Sequence, residues 1–383
     1  MSCKVVCVVG GGISGLAAAQ TLIHMSRKRG YPLEVVLLER TARLGGQIRT
    51  ERFDNLTKPN SRVIIEAGAE GFVTRSTVFP RLGGMAGLGD DQIVDQKRII
   101  DRELRFETEK RSWGIVELAP GIAAQKLGFQ VPKEDRGRGI RSFRTGMSQL
   151  VEQISSNLKD VRLNSAVTGL SRGETGWDIT YESKGTRAVI RSSAVILACP
   201  LTVMQSLVGT PKFQGNFPVM SYNSHVSVHL LVPRCPSTRE IEGFTVPAEL
   251  QGNLNGLRAC SLVEEKFPDR CDPTSWLLRF YIRPQSDQLI EDDSVWTARA
   301  TRAFQEVFGC PSQPTWSHVA KWKSALPVIT TQHLSMCREF KNEVSELSEG
   351  SIRLIGSEVS GAGLDAAAMS GFEAAQQVLD TLH

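Results

Sequence analysis

The sequence predicts an α/β protein in which a parallel, helix-flanked sheet is joined to a second α+β domain built on a mixed sheet. Three observations carry this expectation. A valine-rich run, Lys4 to Val9, leads straight into a glycine turn and a helix-forming stretch. A second apolar run, Leu33 to Glu39, follows within the span of one βαβ unit and ends in an acid. Near the far end, Ile352 to Ile355 begins the same pattern of apolar strand, glycines and helix.

Each element follows from its residues. Lys4 to Val9 is apolar without alternation, which fits a strand covered on both faces. Leu16 to Arg29 has helical composition and closes in basic residues before Gly30, a helix stop. Arg144 to Asp160 reads as a helix. Val161 to Thr168, Trp177 to Tyr181 and Ala188 to Ala198 read as strands. Val226 to Val232 and Trp276 to Ile282 read as strands of the second sheet, and Ser294 to Phe308 and Ala366 to Leu379 as helices. A chain of 383 residues is too long for one small core. Residues 1–95, 141–205 and 345–383 are expected to form one discontinuous domain, and 96–140 with 206–344 the other.

Bulk properties narrow the function. Hydrophobic residues make up 41% and charged residues 22%, a globular composition. A net charge of +4, without a basic block interleaved with aromatics, argues against nucleic acid as a partner. The densest basic stretch, Lys133 to Arg144, includes acids and reads as a solvated loop. The eight cysteines form no CxxC pair and have no histidines at zinc spacing. Reduced thiols, no metal and a cytoplasmic location are expected. Val5 to Ile23 is broken by ordered glycines and reads neither as a signal peptide nor as a membrane span.

The glycine turn carries the chemistry. Gly10, Gly12 and Gly15 give G-x-G-x-x-G, with Ile13 and Ser14 opening the helix. The first glycine allows the turn, the second the approach of a pyrophosphate, the third close packing of helix on strand. Free N–H groups at the helix start favour phosphate. Glu39, at the end of the second strand, is placed to accept from ribose hydroxyls. The next segment selects the dinucleotide. Glu39-Arg40-Thr41-Ala42-Arg43-Leu44-Gly45-Gly46-Gln47-Ile48 resembles the extended flavin motif of glutathione-reductase-type and amine-oxidase-type flavoproteins, which implies FAD and puts Arg43 near the pyrophosphate. Gly356-Ser357, then Gly363-Leu364 and Ala366 to Gly371, resemble that superfamily's C-terminal segment, where a helix start faces the flavin. Ala198, in Ala194 to Pro200, and Val167, the expected backbone contact to adenine, complete the set.

The resemblance then narrows. Glu66 to Phe72, with Gly68, Ala69 and Glu70 at the flavin, Trp113 to Pro120, Phe143 to Leu150, Glu242 to Pro247, and Trp322 to Pro327 followed by His333 stand in the order found in FAD-dependent protoporphyrinogen and coproporphyrinogen oxidases. That resemblance implies hydride transfer to flavin N5, O2 as acceptor, and a small-molecule substrate, a porphyrinogen. It identifies no catalytic side chain. His225 and His229 read as structural, and Trp322 and Phe244 as either cavity lining or core. The chain departs from the family in its cap: only Gly121 to Thr145, 25 residues, stands where the family carries a long helical insert. Membrane contact is therefore expected to be weak at most. Arg102, Arg105 and Arg111 lie near the family's substrate-carboxylate position without matching it. Two other readings remain open: an oxidase of an amine or specialised metabolite, with Lys321 or Lys323 facing the flavin, and a non-catalytic FAD-binding protein. A homodimer also remains open.

Overall fold

The structure, a computed structural model, describes residues 3–56, 58–96, 102–107, 112–117, 139–210, 212, 220–236, 243–246, 256–285 and 288–383. The chain begins with β1 (Lys4–Val9), α1 (Ile13–Lys28), β2 (Leu33–Leu38), β3 (Thr50–Asp54), β4 (Arg62–Glu66) and β5 (Phe72–Val73). Next come α2 (Val78–Ala86), β6 (Ile93–Asp95), β7 (Arg102–Glu107), β8 (Ser112–Glu117), β9 (Ile140–Phe143) and α3 (Ser148–Asn157). Then follow β10 (Asp160–Arg162), β11 (Ser165–Gly173), β12 (Gly176–Ser183), β13 (Thr186–Ser192), β14 (Ala194–Leu197) and α4 (Leu201–Leu207). The second half holds β15 (Tyr222–Pro233), β16 (Gly243–Thr245), β17 (Leu257–Leu262), α5 (Val263–Lys266), β18 (Ser275–Ile282), α6 (Asp293–Phe308) and β19 (Trp316–Pro327). The chain closes with α7 (Thr331–Leu347), β20 (Ile352–Leu354), α8 (Ser357–Ser360) and α9 (Leu364–Leu382).

The unbroken apolar runs form a parallel sheet ordered β10-β2-β1-β14-β20. Both of its faces are covered, which is why its strands do not alternate. Val6 and Val8 pack with Leu16, Leu22 and Ala375 of α1 and α9. Cys7 and Val9 pack the other way, with Ile179 and Tyr181 of the β11–β13 sheet and Phe340 of α7. A fully buried Val or Leu of this kind contributes roughly 1.5–3 kcal/mol. The first and last helices meet at a glycine: a Cβ on Gly371 would lie 2.3 Å from the Ser14 carbonyl oxygen and 2.8 Å from the Ala18 nitrogen. Only a bare backbone lets α9 cross α1 so closely.

The second sheet is ordered β19-β15-β18-β17-β16-β8-β7. Its strands do alternate. Val226, Val228, Leu230 and Val232 bury against Trp296, Phe304 and Phe308 of α6. The residues between them, His225, Ser227 and His229, therefore turn the opposite way, towards β3 and β4.

Several expectations change. The second sheet was expected to be mixed, yet its described pairs are all antiparallel, in keeping with the one packed face along β15. The run Ala188 to Ala198 is two strands in two sheets. The Ser192 hydroxyl donates to Val5 O at 3.1 Å and accepts from Cys7 N–H at 3.0 Å, which stops β13 where β14 joins the parallel sheet. α7 carries no apolar run, and its start is fixed by Thr330, whose hydroxyl accepts from His333 N–H at 3.1 Å. The cysteines are not all reduced: Cys235, after β15, and Cys310, after α6, are joined, with Cα atoms 6.7 Å apart. The folding of α6 over the sheet brings together residues separated by 75 positions, which no local spacing signals. The thiol argument for a cytoplasmic location loses that part of its basis. Most of the shortened cap, and Arg111 with it, lies outside the described residues. Among the described residues no helix is long and apolar enough to cross a membrane.

Gly371→Val should part α1 from α9 and destabilise the protein by about 1–3 kcal/mol, the usual range for overpacking. Thermal unfolding checks this; an unchanged midpoint would show that the crossing tolerates a side chain.

Candidate active site

The turn after β1 is held from three sides. Gly10 has φ +110°, and a Cβ there would lie 2.4 Å from Ala198 O. A Cβ on Gly15 would lie 2.0 Å from Gly10 O. Gly12 differs: nothing stands within 4 Å of where its Cβ would be. It caps α1 without any side-chain hydrogen bond, which leaves the first N–H groups of α1, at Ile13 and Ser14, without a side-chain cap. Glu39 closes the back of the turn. Its carboxylate accepts from Gly11 N–H at 2.7 Å and from the N–H and hydroxyl of Thr41 at 2.8 and 2.7 Å.

The Arg43–Ile48 loop lies over this turn. Gly45 N–H donates to Gly11 O at 2.8 Å, and a Cβ on Gly46 (φ +57°) would sit 3.2 Å from Gly12 Cα. Arg43 spends its hydrogen bonds on the loop itself, donating to Leu44 O and Ile48 O at 3.1 Å and Gly46 O at 2.5 Å. The resemblance to the flavin motif implied this cation near a pyrophosphate; in the structure it braces the loop. Towards the other end, Ser165 N–H donates to Glu39 O at 2.8 Å, which brings Val167 of β11 to the Glu39 side. Arg40 is exposed there.

Gln47 leads to the meeting of the two sheets. A Cβ on Gly68 would lie 1.9 Å from Gln47 O and 3.2 Å from the Trp322 ring, and Ala69 N–H donates to Gln47 O at 2.9 Å. The second sheet then grips Glu66 to Glu70 residue by residue. Arg270, 1% exposed, lies 3.8 Å from the Glu66 carboxylate and donates to Phe143 O at 3.0 Å. The Trp322 indole N–H donates to Ala67 O at 2.6 Å. Arg279 donates to Gly68 O at 2.6 Å and to the Ser227 hydroxyl at 2.9 Å. Glu70 accepts from Lys266 and from the Tyr281 hydroxyl, both at 2.9 Å. Met147, from the Phe143–Leu150 motif, is buried, and its N–H donates to Glu66 at 2.8 Å.

The C-terminal segment reaches the same place. Gly356 (φ +121°) lies beside Ser14, a Cβ there being 3.6 Å from the Ser14 hydroxyl, and Ser370 accepts from its N–H at 3.2 Å. Ser357 opens α8. Gly363 (φ +100°) caps α9 with no side-chain bond and nothing within 4 Å of its Cβ position, so Leu364 begins a second open helix start. Glu358 ties this segment to the neighbouring strand end, accepting from Leu201 N–H at 2.7 Å, while its carbonyl stands 2.6 Å from His333 Nε2.

The fold thus joins Gly10, Gly12, Ser14, Gly15, Gly45, Gly46, Gln47, Gly68, Ala69, Ala198, Trp322 and Gly356 in one chain of contacts. Sequence reasoning missed Lys266, Arg270, Arg279, Tyr281 and Glu358. A lone arginine in Ser275 to Ile282, otherwise apolar, was the available signal for Arg279, because a charge there needs a partner. Lys321 is corrected. Strand alternation turns it from Trp322, and it pairs with Asp293 at 2.8 Å and Glu291 O at 2.6 Å. The amine-oxidase reading loses that flavin-facing lysine, and Lys323 shares its parity on β19. His229 is fully buried, with the Glu66 backbone beside its ring. Burial, aided by Arg279, holds His229 well below its usual pKa and His225 down at about 4, so both rings are neutral near pH 7.

Two uncapped helix starts, open space at Gly12 and Gly363, and an acid at the second strand end fit a dinucleotide carrying a pyrophosphate. In a loaded protein Gly12, Ile13 and Ser14 would hold the diphosphate and Glu39 the ribose.

The Glu70 clamp sets a pH dependence. Burial alone raises a carboxyl, but here Lys266 and Arg279, with the bonds from Lys266 and Tyr281, outweigh it and hold Glu70 down at about 2. A depressed folded-state value stabilises the fold above the unfolded pKa and loses that contribution as pH falls. The wild type should therefore lose roughly 3 kcal/mol between about pH 5 and pH 2 that Glu70→Gln does not lose. Parallel acid-unfolding curves for the two proteins would contradict the clamp.

The comparisons agree with this geometry. Residues 121–379, more than half of the chain, match the family of flavin containing amine oxidoreductases, and residues 8–87 match an NAD(P)-binding Rossmann-like domain. Coproporphyrinogen III oxidase of Bacillus subtilis (strain 168) is 20% identical over 458 residues, covering 94% of this chain and 95% of that protein. Protoporphyrinogen oxidase 1, chloroplastic, of Spinacia oleracea is 24% identical over 66% of this chain, which matches only 47% of the plant protein. A protein assigned as a protoporphyrinogen oxidase from Exiguobacterium sp. 255-15 superposes with a TM-score of 0.75 at 20% identity over 99% of both chains. Putrescine oxidase superposes at 0.65 and 14% identity, again over 99% of both. These solved structures share the fold. The chain is a member of the flavin containing amine oxidoreductase family, an oxidoreductase with FAD as its cofactor.

Proposed function

We propose that this protein oxidises a porphyrinogen, with O2 as the final electron acceptor. The observation that carries the substrate class is the end-to-end match to the Bacillus subtilis coproporphyrinogen III oxidase, which no amine oxidase among the relatives above shares in sequence. The loss of Lys321 from the flavin side also weighs against an amine substrate.

On this reading FAD, when bound, supplies the two-electron acceptor for hydride. The chain's residues bind and orient. Gly10 to Gly15 receive the diphosphate, Glu39 the ribose, and Arg40 and Val167 the adenosine end. Gly45 to Ile48, Gly68, Ala69 and Trp322 flank the ring. Gly356 lines its far edge, and Ser357, Gly363 and Leu364 supply N–H groups there. Glu70 acts through the clamp: it holds the backbone of Gly68 and Ala69 in place from the second sheet. Each two-electron step removes one hydride and one proton from the macrocycle and reduces one O2 to peroxide, and three such steps complete the porphyrin. The released proton passes to water. We place the protein in the cytoplasm, with at most weak membrane contact through its short cap.

Purified protein should be yellow, and acid precipitation should release the flavin. Burial pushes the Cys199 thiol up to about 12, so it stays protonated and does not attack the ring. Gly12→Val should fold, by circular dichroism, yet bind no FAD, because its side chain fills the one open position of the turn. A yellow Gly12→Val protein would overturn the placement of the diphosphate.

With chemically reduced coproporphyrinogen or protoporphyrinogen, the holoenzyme should consume O2 and form a fluorescent porphyrin. Oxidation of putrescine or tryptophan, with none of either porphyrinogen, would replace this reading by the amine one.

A further inference from the structure

The face of the second sheet turned towards Gly68 carries a row of side chains that the clamp does not use. Trp322 on β19 is paired with His225 on β15, and their rings stack at 6.4 Å. Val226 is paired with Ile282 on β18, so Arg283, the next residue, lies beside His225. Arg283 N–H donates to Gly256 O at 2.8 Å. Gly256 (φ +78°) is pressed so tightly there that a Cβ would lie 2.1 Å from Arg283 O. Two residues later, Arg258 occupies a bulge between Leu257 and Ala259 in β17. Turn and bulge place Arg258 on the strand beside Arg283, near enough for the two charges to act on each other.

Among the described residues no carboxylate pairs with either guanidinium. The Arg258 side chain makes no ion pair or hydrogen bond among those residues, and its Nε is buried and unpartnered. Among the described residues the Arg283 guanidinium donates to the Asn223 side-chain oxygen. Burial and the Arg283 charge together lower the pKa of Arg258. Like charges drawn together without a counterion destabilise the empty fold, and an anion between them removes that cost. The row also has direction. Strands are about 4.8 Å apart, so Arg283 stands roughly 10 Å and Arg258 roughly 14 Å from Trp322, measured across the sheet. Trp322 marks the ring end through its bond to Ala67.

The geometry points to Arg258 and Arg283 as the carboxylate-binding end of the substrate site, receiving an acid group at the rim of a wide, flat substrate whose reacting centre lies at Gly68. This rests on the porphyrinogen reading and assigns its anionic anchor to β17 and β18. Two guanidiniums offer a planar fork to a carboxylate and no such partner to its ester.

The test uses the FAD-loaded full chain. Coproporphyrin III and its tetramethyl ester are titrated against tryptophan fluorescence, and coproporphyrinogen III is turned over. The proteins are wild type, Arg258→Gln/Arg283→Gln, Arg258→Lys/Arg283→Lys, and Arg283→Gln alone. Wild type should bind the acid at least tenfold more tightly than the ester. The double Gln variant should lose that preference and raise KM at least tenfold with little change in kcat or flavin spectrum, and the Lys variant should recover part of it. Arg283 is exposed, so its single Gln variant, expected to lose severalfold in acid binding, carries the test if the double variant does not fold. Gln variants with unchanged KM and unchanged acid preference would overturn the anchor while leaving the oxidase reading intact. A wild type that neither oxidises the porphyrinogen nor binds the porphyrin would overturn both.

Discussion

The segment Glu66 to Glu70 is the constraint on which the site depends. Four of its five residues are held by groups from the second sheet or the loop beside it: Glu66 by Arg270, Ala67 by Trp322, Gly68 by Arg279, Glu70 by Lys266 and Tyr281. Two of those contacts engage backbone carbonyls that would otherwise be buried without donors. The others neutralise buried carboxylates, whose isolation would cost several kcal/mol. Because the parallel sheet carries the glycine turn and the antiparallel sheet carries most of the donors, this segment fixes how the two sheets meet.

The consequence reaches back to the first strand. Gly68 can sit against Gln47 only because it lacks a side chain, and Gln47 belongs to the loop that lies on Gly12. Gly371 lets α9 press on α1 at Ser14, so the C-terminal glycines arrive beside the same turn. Close backbone approach, enforced by glycine at three crossings, brings together segments hundreds of residues apart.

What was legible in the sequence had local causes. Gly10, Gly12 and Gly15 were readable because strand, turn and helix follow each other within a few residues. Glu39 was readable because it ends the next strand. The parallel strands announced themselves as unbroken valine and leucine runs. The clamp was not legible, because its donors come from β18, β19 and α5, and only tertiary pairing brings them to Glu66 and Glu70. The division of Ala188 to Ala198 depends on Ser192 meeting Val5 and Cys7, and the joining of Cys235 to Cys310 on the seating of α6. Arg43 shows the reverse: the motif that holds it resembles a flavin-binding segment, while its charge serves that loop's own carbonyls.

One ligand spanning all these segments is the central claim, and amide hydrogen exchange with and without FAD tests it most directly. FAD should slow exchange together at residues 10–16, 43–48, 67–70 and 356–366, since one molecule touches or braces each. Protection confined to residues 10–16 and 39–48, with 67–70 and 356–366 unchanged, would show a nucleotide held at the first turn alone and would contradict a flavin seated between the two sheets.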